Sequence, residues 1–393
     1  MIQGEIYFDN SATTRPSKEV LTHYLRVADE EYGNPSSKHK RGQTARALLT
    51  EARKTLLSAI GAKDGHVFFT AGGTEANNLA LFGRAYAKER FARGCRIITT
   101  AGEHASVALP LDALARAGFD IVRIPTVGGA LDTEALLSAL SPKTVLISMM
   151  AVNNETGAIY PTSLVSAAMR RACPDAVLHV DATQAFMKIP MTPKTLGADM
   201  ITVSSHKIEG PKGVGALWVS DAVIKNRGLS AVTLGGGQEE GLRSGTENVP
   251  AISAFAEAAR LASASFDERI QKIREVKEHL LSSLALHPVL ANAVTANLPE
   301  KAAPHILSLT VEGFKSETVL NDLSGRGIYV SSGSACASHA RNLSAALLAF
   351  GKSEEETDAT IRLSFSHHNT KEEADVFLSA LAEIVETRAR VRR

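Results

Sequence analysis

The sequence predicts an α/β protein: a large domain with a mainly parallel sheet covered by helices on both faces, plus a smaller α+β domain. Three observations predict it. Short β-rich runs alternate with helical periods up to about residue 250. Those runs are near-continuously apolar rather than alternating, as strands covered on both faces require. Beyond residue 250 the order changes to long helical periods and a separate set of strands. Strand–helix alternation places the strands in one sheet with helices on either side.

In chain order, HVFF (66–69), RIIT (96–99), DIVRI (120–124), TVLISMMAV (144–152), VLHV (177–180), DMITVSS (199–205) and GALWV (215–219) read as strands. Ser17 can cap a helix that carries Val20, Leu21, Tyr24 and Leu25 on one stripe. Asp132 can cap another, with Leu136, Leu137 and Leu140 on one face. A long helical region covers roughly 250–286. It is followed by ILSLTVEG (306–313), a helix from about Glu317, IYVSSGSAC (328–336), a helix near 343–350, IRLSFS (361–366) and a final amphipathic helix. The division reads as a large domain over 16–260 and a small domain from 1–15 and 261–393. No internal repeat or low-complexity tract interrupts it.

Composition narrows the function classes. Apolar residues make up 44% and charged residues 22%, the usage of an ordinary globular protein. The balance of 43 basic against 42 acidic residues argues against a nucleic-acid binder, which needs phosphate-neutralising charge. Cys95, Cys173 and Cys336 form neither a disulfide framework nor a CxxC pair, which fits a reducing compartment. The start, MIQGEIYFDN, is no secretory signal, and no apolar stretch approaches the ~20 residues that span a bilayer. A soluble cytoplasmic protein without nucleic-acid or membrane partners is the expectation.

Ligands of open α/β sheets sit at the carboxyl ends of strands. Five successive strand ends here carry polar or ionisable groups: TAGGTE after HVFF, Glu103 and His104 after RIIT, Asn153–Glu155, Asp181 with Gln184, and Ser204–Lys207. TAGGTEANNL joins a small-residue loop to a helix start, where free amides can bind a phosphate. It is not a P-loop, and it reads equally as a plain βα turn capped by Thr74. Lys207 follows an apolar strand and precedes GPKGVG. A desolvated lysine there can form a Schiff base; the plain alternative is a surface lysine. Asp181 would be a costly buried charge unless a protonated pyridine nitrogen partnered it. Anion-binding helix start, aspartate and lysine together suit pyridoxal phosphate. His104 can stack on such a ring or be satisfied by its loop neighbours. Cys336, in SSGSACASHA, lies in a small, polar loop where a thiol is exposed enough to act as nucleophile, whereas Cys95 and Cys173 read as buried and inert. The adjacent His367 and His368 would diverge on a strand, and with no third ligand at suitable spacing no metal site is expected.

These residues also carry a resemblance. DNSATT (9–14), GNPSS (33–37), TAGGTEANNLA (70–80), EHAS (103–106), VNNETG (152–157), HVDATQ (179–184), SSHKIEGPKGVGALWV (204–219), GGGQEEGLRSGTEN (235–248), SSGSACAS (331–338) and IRLSFS (361–366) run nearly end to end. They resemble cysteine desulfurases of the nitrogen-fixation and iron–sulfur-assembly type, within the class V aminotransferases. The resemblance implies a homodimer that binds pyridoxal 5'-phosphate and acts on L-cysteine. It implies Lys207 as the cofactor-holding lysine, Asp181 as the pyridine-nitrogen partner, and Gln184 and Asn154 on the ring-hydroxyl side. It implies His104 as the stacking group and acid/base, and Gly73, Thr74, Ser204 and His206 as the phosphate cradle. Thr246 corresponds to a phosphate ligand from the other subunit. Cys336 corresponds to the persulfide-forming nucleophile, Arg362 to the clamp on the substrate carboxylate, and Asn10 to a pocket-lining residue. The sulfur would pass to an acceptor or iron–sulfur scaffold protein. The chain departs from the pattern at IEG (208–210), where many relatives carry an aromatic, and the sequence runs only a short way past the last expected helix, where some members carry a longer C-terminal tail. Selenocysteine lyase and class V aminotransferase are alternatives on the same scaffold. An assembly platform without turnover is the alternative of another class.

Overall fold

The computed structural model describes residues 4–87, 94–332 and 343–391, the last four as backbone only. Its strands are β1 (Ile6–Tyr7), β2 (His66–Thr70), β3 (Arg96–Thr100), β4 (Asp120–Ile124), β5 (Thr144–Met150), β6 (Val177–Asp181), β7 (Met200–Ser204), β8 (Gly215–Val219), β9 (Val294–Ala296), β10 (Ile306–Val311), β11 (Ile328–Tyr329), β12 (Ser331–Ser332) and β13 (Thr360–Ser364). The helices are α1 (Lys18–Glu30), α2 (Lys40–Ile60), α3 (Gly73–Ala85), α4 (Ala105–Arg116), α5 (Thr133–Ala139), α6 (Thr162–Ala172), α7 (Pro193–Leu196), α8 (Asp221–Lys225), α9 (Val249–Ala264), α10 (Phe266–Leu286), α11 (Ser316–Gly325), α12 (Ala345–Phe350), α13 (Glu354–Asp358) and α14 (Lys371–Val391).

The seven-stranded sheet has the order β2-β8-β7-β6-β5-β3-β4. Only β8 runs against its neighbours, so the other six strands end on one edge. Alternate residues face opposite cores. Phe69, Ile98, Ile147, Leu178 and Ile201 pack with α1, α2, α6 and α9. Phe68, Ile97, Leu146, Val177 and Met200 pack with α3 and α4 on the other face. With both faces covered, the strands lack polar alternation, which is why they read as continuous apolar runs. A separate core gathers Ile6 and Phe8 with α10, α14, β10 and β13.

Several local readings change in the structure. Ser17 does cap α1, accepting from the Val20 amide at 3.2 Å. The buried stripe, however, is Val20 and Val27 with the half-buried Tyr24, while Leu21 and Leu25 are exposed. Packing against α9 selects one flank of a wide apolar face. On the helix capped by Asp132, Leu136 is buried and Leu137 is exposed. The long helical region breaks at Ser265 into α9 and α10, and Asn248, not Pro250, begins it as N-cap. Cys173 is buried, but Cys95 is only half-buried.

Phe8 decides where the N-terminal segment goes. It is fully buried, edge-on to Phe365 at 5.3 Å and to Phe377 at 6.1 Å. Burial of such a ring contributes roughly 1.5–3 kcal/mol. It anchors the DNSATT stretch over the carboxyl edge of the large sheet.

Candidate active site

Lys207 lies in a short helical turn after β7. Its Nζ donates to the carbonyls of Ser11 at 2.6 Å and Ala12 at 2.7 Å. Gln184 Nε2 donates to the same Ser11 carbonyl at 2.9 Å, and its Oε1 lies 3.3 Å from His305 Nε2. Thr13 Oγ1 is 3.1 Å from His206 Nδ1, and Thr14 Oγ1 donates to the His206 carbonyl at 2.8 Å. The segment 9–14 thus binds the lysine turn, Gln184 and Arg362 into one site.

Asp181 ends β6 and is buried. Its carboxylate accepts from Asn77 Nδ2 at 2.8 Å and from the Thr183 amide at 2.9 Å. It has no ion-pair partner among the described residues. Both donors are neutral, so a cation facing Asp181 is the missing element of a stable arrangement. His104 caps α4: its Nδ1 lies 2.8 Å from Ser106 Oγ, and that hydroxyl also receives Asn77 Nδ2 at 2.9 Å. Burial holds the His104 pKa below its usual value, with the Asp181 charge opposing. His206 is pushed down to about 4 by burial and by its lysine neighbours. Both rings are therefore neutral near pH 7.

The start of α3 forms the cradle. Gly72, without a side-chain cap, precedes Gly73, so the first amides of the helix have no side-chain acceptor at the cap. Thr74 sits in the first turn rather than capping it, and it is exposed. A Cβ on Gly73 would meet Thr183 Oγ1 at 3.2 Å and Ser204 Cβ at 3.5 Å. A Cβ on Gly215 would meet the Gly72 backbone at 2.6 Å, which explains the glycine opening β8. Helix start, Thr183 and Ser204 therefore surround one small space.

Arg362 on β13 is buried and donates to Asp9 Oδ1 at 2.8 Å and the Asn154 carbonyl at 2.9 Å. The structure brings Asn154 to the site through this carbonyl. Asn10 is buried, and its Nδ2 donates to the Tyr7 and Ser364 carbonyls, each at 3.0 Å. That amide nitrogen braces the segment. Thr246 is exposed, three residues past Arg243, which pairs with Glu75 of α3 at 2.8 Å. Cys336 lies outside the described residues.

Several residues that the structure places at the candidate site escape sequence reasoning. Asn77 is four positions beyond Gly73, so helical spacing alone could have placed it on the same face. Thr183 and Asp9 carry no signal beyond neighbouring Asp181 and Asn10. Glu103 was legible only as a strand-end acid. It is fully buried, accepts from Thr100 Oγ1 at 2.5 Å and the Met150 amide at 3.1 Å, and burial pushes its pKa up to about 8. Glu155 accepts from Ser344 Oγ at 2.5 Å and is pushed up to about 7 by burial, against the Arg362 charge. His367 and His368 follow β13 in a turn, and their rings do not diverge: the centroids are 3.9 Å apart.

A family model described as aminotransferase class-V matches residues 6–377. The chain belongs to that family. It is 41% identical over 383 residues to a NifS/IcsS protein homolog of Lactobacillus delbrueckii subsp. bulgaricus, covering 96% of this chain and 97% of the relative. It is 36% identical to cysteine desulfurase IscS 1 of Archaeoglobus fulgidus, covering 97% of each. Among solved structures, a NifS-like protein superposes with a TM-score of 0.89 at 34% identity, covering 98% of this chain and 100% of that one. A structure described as SspA in complex with cysteine superposes at 0.78 with 30% identity, covering 93% and 100%.

Enzymes of this family use pyridoxal phosphate, and the residues present fit it. Buried polar atoms without partners collect here: Ser11 Oγ, Asn77 Oδ1, Ser204 Oγ and Arg362 Nε. Such atoms are uncommon in native proteins, and their gathering around one space marks a binding site. The cradle at Gly73 suits a phosphate, Asp181 a pyridinium and Lys207 an aldehyde.

Proposed function

We propose that the protein is a pyridoxal phosphate-dependent cysteine desulfurase. It converts L-cysteine to L-alanine and leaves the sulfur as a persulfide on Cys336, for transfer to an acceptor in iron–sulfur cluster or other thio-cofactor synthesis. The observation that carries this is that Gln184 and Lys207 meet at the Ser11 carbonyl while His104, joined to Asp181 through Asn77 and Ser106, lies within reach of the Lys207 charge, in a chain that matches cysteine desulfurases along nearly its whole length.

The residues divide the work. Gly73, Thr74, Ser204 and His206 hold the phosphate, with Thr246 supplied by the second subunit of a homodimer. Support for Thr246 is its exposed position three residues past Arg243, which pairs with Glu75 in the first turn of α3. Asp181 keeps a proton on the pyridine nitrogen. When bound, pyridoxal phosphate supplies an electron-accepting ring that acidifies the substrate Cα–H. Lys207 removes that proton and later returns one, moving between the substrate and the Ser11 and Ala12 carbonyls. Arg362 grips the substrate carboxylate with its planar fork, sharing it with Asp9. Asn154 and Gln184 face the ring hydroxyl, and Asn10 holds the segment that roofs the pocket. Neutral His104 stacks on the ring and serves as acid/base. The thiolate of Cys336 attacks the substrate sulfur, an S–S bond forms, and the substrate C–S bond breaks. The bonding pair goes to Cβ, which takes a proton to give alanine.

The neutral charge balance and the reducing-compartment cysteine pattern support a cytoplasmic setting. Among the described residues, no helix is long and apolar enough to cross a membrane.

The test is simultaneous alanine and sulfide release from L-cysteine, with reductant, on protein reconstituted with pyridoxal phosphate. Equal amounts over many turnovers are expected. Cys336→Ser should keep the cofactor spectrum and stop sulfide release. Wild-type release by that variant would remove Cys336 from the mechanism. Activity of the variant on selenocysteine alone would favour a selenocysteine lyase.

A further inference from the structure

The turn carrying Lys207 ends in Glu209, a residue the proposed mechanism does not use. It has φ +67°, a conformation costly for a side-chain-bearing residue outside glycine, asparagine and aspartate. The structure holds it there from both sides: its amide donates to Thr14 Oγ1 at 2.7 Å, and its carbonyl accepts from the Ser17 amide at 3.2 Å. The carboxylate is buried, and its two oxygens face different groups. Oε2 accepts from Arg269 at 3.2 Å. Oε1 lies 3.2 Å from His367 Nδ1 and 3.5 Å from His368 Nε2. All three candidate donor atoms fall within 4.8 Å of one another.

Those separations have a meaning. Zinc bonds to imidazole nitrogen and carboxylate oxygen are about 2.0–2.1 Å, so the edge of a regular tetrahedron around it is about 3.3–3.4 Å. The two measured separations bracket that edge. Hydrogen bonding between a carboxylate and one histidine would explain one of them; it gives no reason for two adjacent histidines to turn their rings together onto one oxygen. His368 is 63% exposed while Glu209 and His367 are enclosed, so the fourth tetrahedral corner opens to solvent.

We propose that Glu209, His367 and His368 form a site for a divalent transition-metal ion of the zinc class, with water as the fourth ligand. One carboxylate and two imidazoles suit that class rather than magnesium or calcium, which prefer oxygen alone. Arg269 plays the outer part: by holding Oε2 it aims Oε1 at the two rings. Arg269, Lys188 and Lys272 put positive charge around this cluster, which lowers affinity for a cation, so a micromolar site rather than a tighter one is expected.

The site has a mechanical consequence. Glu209 is two residues past Lys207, and His367 is five past Arg362. An ion here ties the lysine turn of the large sheet to the end of β13 in the second core. It therefore braces two chain segments that meet across the cofactor pocket.

The test uses the tag-free holoenzyme carrying Cys336→Ser, so that this thiol cannot hold the ion. Zinc is titrated against a chromophoric chelator, and thermal melts are recorded with and without zinc. One equivalent per chain is expected, with a rise in Tm. His368→Ala, on an exposed side chain outside the catalytic set, should weaken binding at least ~10-fold and abolish the rise, since even outer partners of a ligand act on that scale. Its visible cofactor spectrum should be unchanged. Glu209→Gln, which keeps the shape and removes the charge, should do the same. Absence of binding at micromolar zinc would overturn the proposal. So would stoichiometric binding that survives in both variants.

Discussion

Replacing Glu103, next to His104 and within reach of the Asp181 charge, with glutamine separates charge from shape. In the structure Glu103 Oε1 takes both hydrogen bonds, from Thr100 and the Met150 amide, and Oε2 has no partner. Glutamine can keep its oxygen at the first position and place its amide at the second. The steric change is therefore small. The electrostatic change is not. Burial raises the folded-state pKa from 4.5 to about 8, so between those values the folded carboxyl holds a proton that the unfolded chain has lost. Wherever the native state binds more protons, stability falls as pH rises. The full penalty is reached above the folded value and vanishes below the unfolded one. Its slope is ~1.4 kcal/mol per pH unit inside the window. From pH 5.5 to 7.5 the wild type should lose ~2–3 kcal/mol relative to Glu103→Gln. Any cost of the unpartnered amide is independent of pH and shifts the comparison without tilting it. Urea unfolding of both proteins at several pH values reads the difference directly. Parallel stability–pH curves would refute the reasoning, because they would mean that Glu103 is ionised in the folded protein.

Further outcomes follow from the geometry. Lys207→Ala should abolish the visible absorption of lysine-bound cofactor while leaving the far-ultraviolet circular dichroism intact; an unchanged visible spectrum would sink the lysine assignment. Arg362→Lys keeps the charge but loses the fork, and should reduce kcat/KM for L-cysteine by ~10–100-fold, the worth of a charge-assisted hydrogen bond, chiefly through KM. Gly215→Ala places a methyl against the Gly72 backbone and should cost ~1–3 kcal/mol of stability, with weaker binding of pyridoxal phosphate measured by fluorescence.

Local chemistry carried much of this protein into view from the sequence. Strand positions from HVFF to GALWV were legible because burial on both faces demands unbroken apolar runs. Asp181, His104 and Lys207 were legible because carboxyl strand ends converge in such sheets whatever the details of packing. Caps at Ser17 and Asp132 depend only on neighbours within one turn, and both occur as read.

Tertiary packing decided the rest. Which flank of α1 is buried depends on α9, more than 200 residues later, so Leu21 and Leu25 could not be sorted from Val20 and Val27 by periodicity alone. The role of the DNSATT backbone, whose Ser11 and Ala12 carbonyls receive Lys207, has no side-chain signature at all. Asn77, Ser106 and Asp181 come from three different elements, and their shared hydrogen bonds exist only once α3 and α4 lie side by side. The meeting of Glu209 with His367 and His368 is the sharpest case. Sequence adjacency says that two neighbouring side chains on a strand point apart; the chain leaves the strand before them, and a turn brings both rings to one oxygen 158 and 159 residues earlier in the sequence. Local residue types determine which chemistry is available, but only the closed fold sets which atoms share a space, because distance in a packed core is independent of distance along the chain.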